Sequence, residues 1–132
     1  MDLEILKIAS DTKNHKVLEN CTHVSKQKNP LCGDEIQISL KVSNDKITDF
    51  AYQCKSCIYC QASLSVLSKF CINKSIRAVE KLISFIDTFF ENNKSKFPKE
   101  LEKFALLFNK KNLSRKDCIL LPIKTLSKAL KS

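Results

Sequence analysis

Glycine is almost absent from this chain. Its only one, Gly33, stands between a thiol and a carboxylate in Cys32-Gly33-Asp34. Glycine reaches positive φ at little steric cost and lets backbone pass close to a bound atom. Keeping it at that one place marks a special backbone site, from which Cys32 and Asp34 can bend toward a common point. Tryptophan is missing, and arginine occurs only at Arg77 and Arg115. No apolar run approaches the roughly 18 residues of a membrane-spanning helix. The start, Met1-Asp2-Leu3-Glu4-Ile5, has neither the basic opening nor the apolar stretch of a secretory signal. The chain is therefore expected in a reducing cytoplasm, without a membrane.

What is present is cysteine. Seven of them in 132 residues read, in a reducing compartment, as metal ligands or reactive thiols before they read as disulfides. The odd number also argues against a fully paired framework. An apolar fraction of 43% and a charged fraction of 28% are those of an ordinary globular protein, and the length suits one domain over residues 1–132 with one core. The net charge of +9 raises nucleic acid as a partner. Against it, the charge is lysine-rich and scattered, and no aromatic residues interleave with a basic stripe. A solvated basic surface, suited to an acidic protein partner, is the expectation.

The pattern along the chain gives an α+β protein. Leu3, Ile5, Leu6, Ile8 and Ala9 fit a short amphipathic helix. Residues 13–29 are polar, with a short strand possible at Cys21-Thr22-His23-Val24. Ile36, Ile38, Leu40 and Val42 alternate with polar residues as in a half-buried strand. Ser43-Asn44-Asp45 supplies a turn, and Ile47 to Cys54 is the return strand, with Phe50 and Tyr52 on one face. Cys32 and Asp34 are thus expected just before one strand, and Cys54 and Cys57 just after its partner, so the hairpin joins them. Beyond residue 60 the period becomes helical: Ala62 to Phe70, then Ile76 to Phe90 with a broad apolar face, then a helix marked by Leu101, Phe104, Ala105 and Phe108. Residues 109–115 read as a basic loop. The last helix is expected over Ile119–Ala129, with Pro122 confined to its first turn. That places Cys118 at the helix N-terminus, where the dipole favours a thiolate.

Three motifs in order carry a resemblance. Asn29-Pro30-Leu31-Cys32-Gly33-Asp34, then Ile47-x-Asp49-x-x-Tyr52 leading to Cys57-Ile58-Tyr59-Cys60-Gln61-Ala62-Ser63-Leu64-Ser65, then Arg115-x-x-Cys118-x-x-Leu121 resemble the U-type iron–sulfur cluster assembly scaffolds, the IscU/SufU family with its NifU N-terminal-like members. The likeness spans nearly the whole chain. It implies a small antiparallel sheet, made of the hairpin and a third strand, with an N-terminal helix and several C-terminal helices packed on one side. It also implies a metal centre of Cys32, Asp34, Cys57 and Cys118, holding Zn²⁺ or iron in a [2Fe–2S] cluster. The long interval before Cys118, Asp117 in place of a histidine, and the lack of an L-P-P-V-K motif resemble the SufU branch.

By that resemblance the protein is a scaffold and sulfur acceptor, not an enzyme. Cys32, on a loop beside Gly33, is the first candidate to take persulfide sulfur from a cysteine desulfurase, ahead of Cys118. The completed cluster would pass to apo iron–sulfur acceptor proteins. The alternative is a structural zinc domain that binds nucleic acid through its basic surface; a thiol enzyme using Cys57 or Cys118 ranks last, for want of a suitably placed histidine. Other residues carry blander readings. Cys21 and Cys71 fit small buried apolar groups, and His15 and His23 fit the surface. Asp117 fits an N-cap or a substitute ligand. Cys54 and Cys60 flank Cys57 in Cys54-x-x-Cys57-x-x-Cys60, which fits packing, alternative ligands or reserve sulfur positions. Ser56 stands where the family has glycine.

Overall fold

The structure is a computed structural model that describes residues 3–29, 33–92, 97, 99–108 and 110–131. Three antiparallel strands form one sheet in the order β1 (His23–Lys28), β2 (Glu35–Ser43) and β3 (Lys46–Lys55). Helix α1 (Leu3–Ala9) precedes them; α2 (Ile58–Cys71), α3 (Ile76–Asn92), α4 (Glu102–Leu107) and α5 (Lys116–Leu130) follow. The α+β architecture expected from the sequence is the one observed.

A two-residue turn joins β2 to β3, with Asn44 at φ 51° and Asp45 at φ 60°. Positive φ at both central residues is the type I′ geometry whose twist suits a hairpin. In a chain with one glycine, asparagine and aspartate take such positions, as Asn20 and Asn73 also do, because their short polar side chains tolerate the left-handed region best among non-glycine residues. The pairing steps from Lys41↔Asp49 to Val42↔Ile47, leaving Thr48 as an extra residue. This bulge turns Ile47 to the same side as Phe50 and Tyr52, and all of them are buried.

Helices α2 and α5 cover that side of the sheet, α5 against β1 and β2 and α2 against β3, while α1 lies along α2. The core is Ile36, Ile38, Leu40, Ile47 and Phe50 from the sheet, closed by Leu64, Leu67, Ile119 and Leu126. Buried hydroxyls on α2 fix the packing: Ser65 donates to the Asp11 carbonyl at 3.1 Å, and Ser68 accepts from buried Asn14 at 2.9 Å. The Asn14 carbonyl in turn accepts the Tyr52 N–H at 3.0 Å, so the segment after α1 covers the edge of β3.

Several boundaries differ from the sequence reading; α2, for one, begins at Ile58 and not at Ala62. Strand β1 runs through Lys28 and begins at His23; its residues alternate between half-buried and exposed with none buried, so an edge strand of HVSKQK carries no apolar alternation to read. Strand β3 continues past Cys54 to Lys55, because Ile36↔Cys54 and Glu35↔Lys55 remain paired. Residues 110–115 form a 3₁₀ helix instead of an open loop, held by buried Asn112, whose amide donates to the Leu106 and Leu107 carbonyls at the end of α4. Helix α5 starts at Lys116, so Pro122 lies inside it, in the second turn. Among the described residues no helix is long and apolar enough to cross a membrane.

Candidate metal centre

Strands β1 and β2 are linked by a loop that two backbone bonds close. Gly33 N–H donates to the Asn29 carbonyl at 2.8 Å, and Asn29 N–H donates to the Asp34 carbonyl at 2.7 Å. Gly33 has φ +75°, and a Cβ built there would meet nothing within 4 Å. Its glycine is therefore demanded by backbone conformation and not by crowding. The turn delivers Asp34 into the interior, where it is 5% exposed.

The next donor comes from the far end of the same hairpin. Cys57 is the N-cap of α2. Its N–H donates to Asp34 Oδ1 at 3.1 Å, and its Sγ lies 3.5 Å from Asp34 Oδ2. The carboxylate thus accepts the cap residue's own N–H, the orphan donor that a glutamate or glutamine at the third helical position accepts in a capping box. Cys118, buried on the first turn of α5, supplies the third. The donor atoms of Asp34, Cys57 and Cys118 all lie within 4.8 Å of one another. Cys32, the fourth residue singled out from the sequence, lies outside the described residues.

Two contacts hold α5 in place beside α2. Ser63 Oγ, fully buried, donates to the Ile119 carbonyl at 2.8 Å. The Arg115 guanidinium sits over the Tyr59 ring, 5.6 Å from its centre. Sequence reasoning singled out neither Ser63 nor Tyr59. Both lie inside the second cysteine motif, but nothing in it marked the hydroxyl or the ring for these contacts. Both helices also aim their N-terminal ends at the group, and the partial positive charge there favours anionic donors.

The remaining cysteines divide by environment. Cys60, on the first turn of α2, has no exposure, and Cys71 is equally buried. Burial pushes both thiols well above their ordinary pKa. Cys54 is half-buried, and its thiol is also raised, first by desolvation and further by the Asp34 carboxylate, with the Ser56 hydroxyl opposing. Cys71 fits the small buried apolar group expected; Cys21 does not, for it is exposed, just before the edge strand β1. Asp117 is not the cap of α5. It stands exposed at the second helical position while Arg115 occupies the cap, and it lies outside the Asp34, Cys57 and Cys118 group. His15 is exposed and stacks on Tyr52 at 5.1 Å; His23 is half-buried.

The donor set suits one soft or borderline cation. Two bonds of about 2.3 Å reach across at most about 4.6 Å, close to the separation of the three donors already present. Thiolates select zinc or iron, and the carboxylate adds a harder, more exchangeable ligand.

Known proteins resemble this chain in sequence and fold. Over 128 residues the chain is 30% identical to a protein of Thermotoga maritima named iron–sulfur cluster assembly scaffold protein IscU, covering 96% of this chain and 89% of that one. A crystal structure from Fervidobacterium islandicum, of a candidate cluster assembly scaffold for the SUF system, is similar at a TM-score of 0.85 and 27% identity, over 98% of this chain and 96% of that one. The N-terminal part of a NifU-like protein from Brucella abortus shares the fold at a TM-score of 0.82 and 21% identity, over 98% and 91% of the two chains. The family defined by the NifU-like N-terminal domain matches residues 2–101, a span that includes Asp34 and Cys57 and stops short of Cys118. This chain belongs to the NifU-like N-terminal domain family of U-type scaffolds.

Proposed function

We propose that the chain works as a single domain, residues 1–132, on which iron–sulfur clusters are built, with Cys32, Asp34, Cys57 and Cys118 as the holding groups. The observation that carries this reading is the convergence of Asp34, Cys57 and Cys118, from three separate segments, to within 4.8 Å. A carrier must hold its cargo and then release it. Thiolates supply the holding, and one exchangeable carboxylate supplies a weak point for release.

Sulfur arrives as a persulfide from a cysteine desulfurase, and Cys32 is its first acceptor by sequence position beside Gly33. The transfer is nucleophilic, a relative of thiol–disulfide exchange. Each chain takes up sulfur and iron and gives up a cluster to an apo iron–sulfur protein, so it acts by stoichiometric loading and not as an enzyme. Zinc bound by the same four groups would organise the loops for docking on the desulfurase. Reduced thiols are required throughout, which suits the cytoplasm.

Anaerobic purification followed by metal analysis and a visible spectrum tests the reading. One zinc without colour marks the sulfur-transfer form, and a brown protein marks the cluster-bearing one. Either must be lost in Cys57→Ser and in Cys118→Ser. Stoichiometric metal retained when both substitutions are combined would remove the site from consideration.

A further inference from the structure

One contact beside the metal centre is not explained by either helix alone. Arg115, exposed at the cap of α5, makes no side-chain capping hydrogen bond there. A cation at this end of a helix is opposed by the dipole, which favours anions. The guanidinium lies instead over the half-buried ring of Tyr59, 5.6 Å from its centre, inside the roughly 6 Å reach of a cation–π attraction. Tyr59 stands on the first turn of α2, just beyond Cys57. Arg115 stands just ahead of Cys118.

The contact therefore joins the two helix starts that carry Cys57 and Cys118. Both starts bear partial positive charge, and α2 also lacks a side-chain bond at its cap. Close together they repel, unless something ties them or anionic donors lie between. Two ties exist, one on either side of Cys118 in the chain. Ser63 Oγ donates to the Ile119 carbonyl at 2.8 Å, and both residues are buried. Arg115 on Tyr59 is the outer tie, and solvent reaches it. Breaking the inner tie would leave the Ser63 hydroxyl unpaired away from water, which is costly. The outer one opens readily, since a cation–π attraction near solvent is weak.

We infer that Tyr59 is a positioning residue for the metal centre: by holding Arg115 it keeps the first turn of α5 against α2, and so sets how slowly a bound cation leaves. The inference rests on the metal-binding reading above. With the outer tie closed, the donors of Asp34, Cys57 and Cys118 stay within 4.8 Å of one another. With it open, α5 is held beside α2 by the Ser63 bond alone, and Cys118 is free to draw away from the other two. A cation then keeps one thiolate fewer. Arginine suits the position, because its planar and permanently charged group stacks on a ring as an ammonium does not.

The test is the rate at which the zinc-loaded, full-length protein gives up its metal to the chromogenic chelator 4-(2-pyridylazo)resorcinol, at concentrations where the chelator no longer limits the rate. Tyr59→Leu should lose zinc about two- to five-fold faster than wild type. Tyr59→Phe keeps the ring and should release zinc at the wild-type rate. Arg115→Gln should match Tyr59→Leu, and the double variant should be no faster than either single one. Arg115 is exposed, so its substitution keeps the test available should Tyr59→Leu fail to fold. Wild-type rates in both single variants, a change confined to one of them, or effects that multiply in the double variant would overturn the inference and leave the metal centre standing. A wild type that takes up no zinc would overturn both.

Discussion

The two ends of this molecule bury very different chemistry. Where α3 meets α4, phenyl rings pack on one another: Phe89 on Phe97 at 4.7 Å, Phe85 on Phe97 at 5.2 Å, and Phe97 stacked on Phe108 at 5.8 Å, with Phe104 edge-on to Phe70. Where α2 and α5 begin, the buried matter is a carboxylate and thiols, and the sulfur–oxygen contact between Asp34 and Cys57 is 3.5 Å long. The aromatic end is complete in itself, since dispersion and exclusion of water are all it requires. At the other end, acceptors and potential anions converge, and a cation among them would satisfy several at once. One end stabilises the fold; the other is arranged for cargo.

The largest effect that tests this contrast is Phe104→Ala. Phe104 is 1% exposed, and its loss should destabilise the protein by about 3–5 kcal/mol, read from denaturant unfolding. Zinc bound per folded chain should stay unchanged. A fall in metal stoichiometry among folded molecules would mean that the two ends are not independent.

The converse experiment adds the cation. Zinc free at 100 times its dissociation constant should raise unfolding free energy by about 2.7 kcal/mol, and Cys118→Ser should abolish that gain while leaving apo stability near its starting value. Equal stabilisation of the variant would place the metal elsewhere. The smallest effect concerns the loop that carries Asp34. Gly33→Ala meets no steric obstacle at Cβ, so its penalty should be the left-handed backbone strain alone, about 1–2 kcal/mol, together with weaker zinc binding as Asp34 shifts. A variant as stable as wild type would show that the loop relaxes to another conformation at no expense.

Much of this was legible in the chain. The alternation of Ile36, Ile38, Leu40 and Val42, the Asn44-Asp45 turn and the long apolar face of α3 are local signals, because a strand's period of two and a helix's of 3.6 are properties of neighbouring residues. Gly33 announced a left-handed backbone for the same reason, and φ +75° is what it adopts. The cysteine motifs also located the donors. They did not reveal that the Ser63 and Ser56 hydroxyls are buried, since a buried hydroxyl and an exposed one look alike in sequence.

What tertiary structure alone decided is whatever depends on a partner distant in the chain. Strand β1, polar apart from the exposed Val24, exists because β2 offers it a row of backbone hydrogen bonds, from His23↔Leu40 to Lys28↔Glu35, and its own residues show no apolar alternation. Pro122 is accommodated in the interior of α5 because packing on the sheet and on α2 outweighs the loss of one helical bond. Cys54, near the end of β3, and Cys71, at the end of α2, are both thiols, yet one borders a cavity and the other is sealed in the core. The sequence by itself determined the hairpin, the apolar helices and where the ligand-type residues stand along them. Which of those residues meet, and how deeply each is buried, was settled only when α2 and α5 closed over one face of the sheet, because burial and proximity are properties of the packed chain and not of any stretch of it.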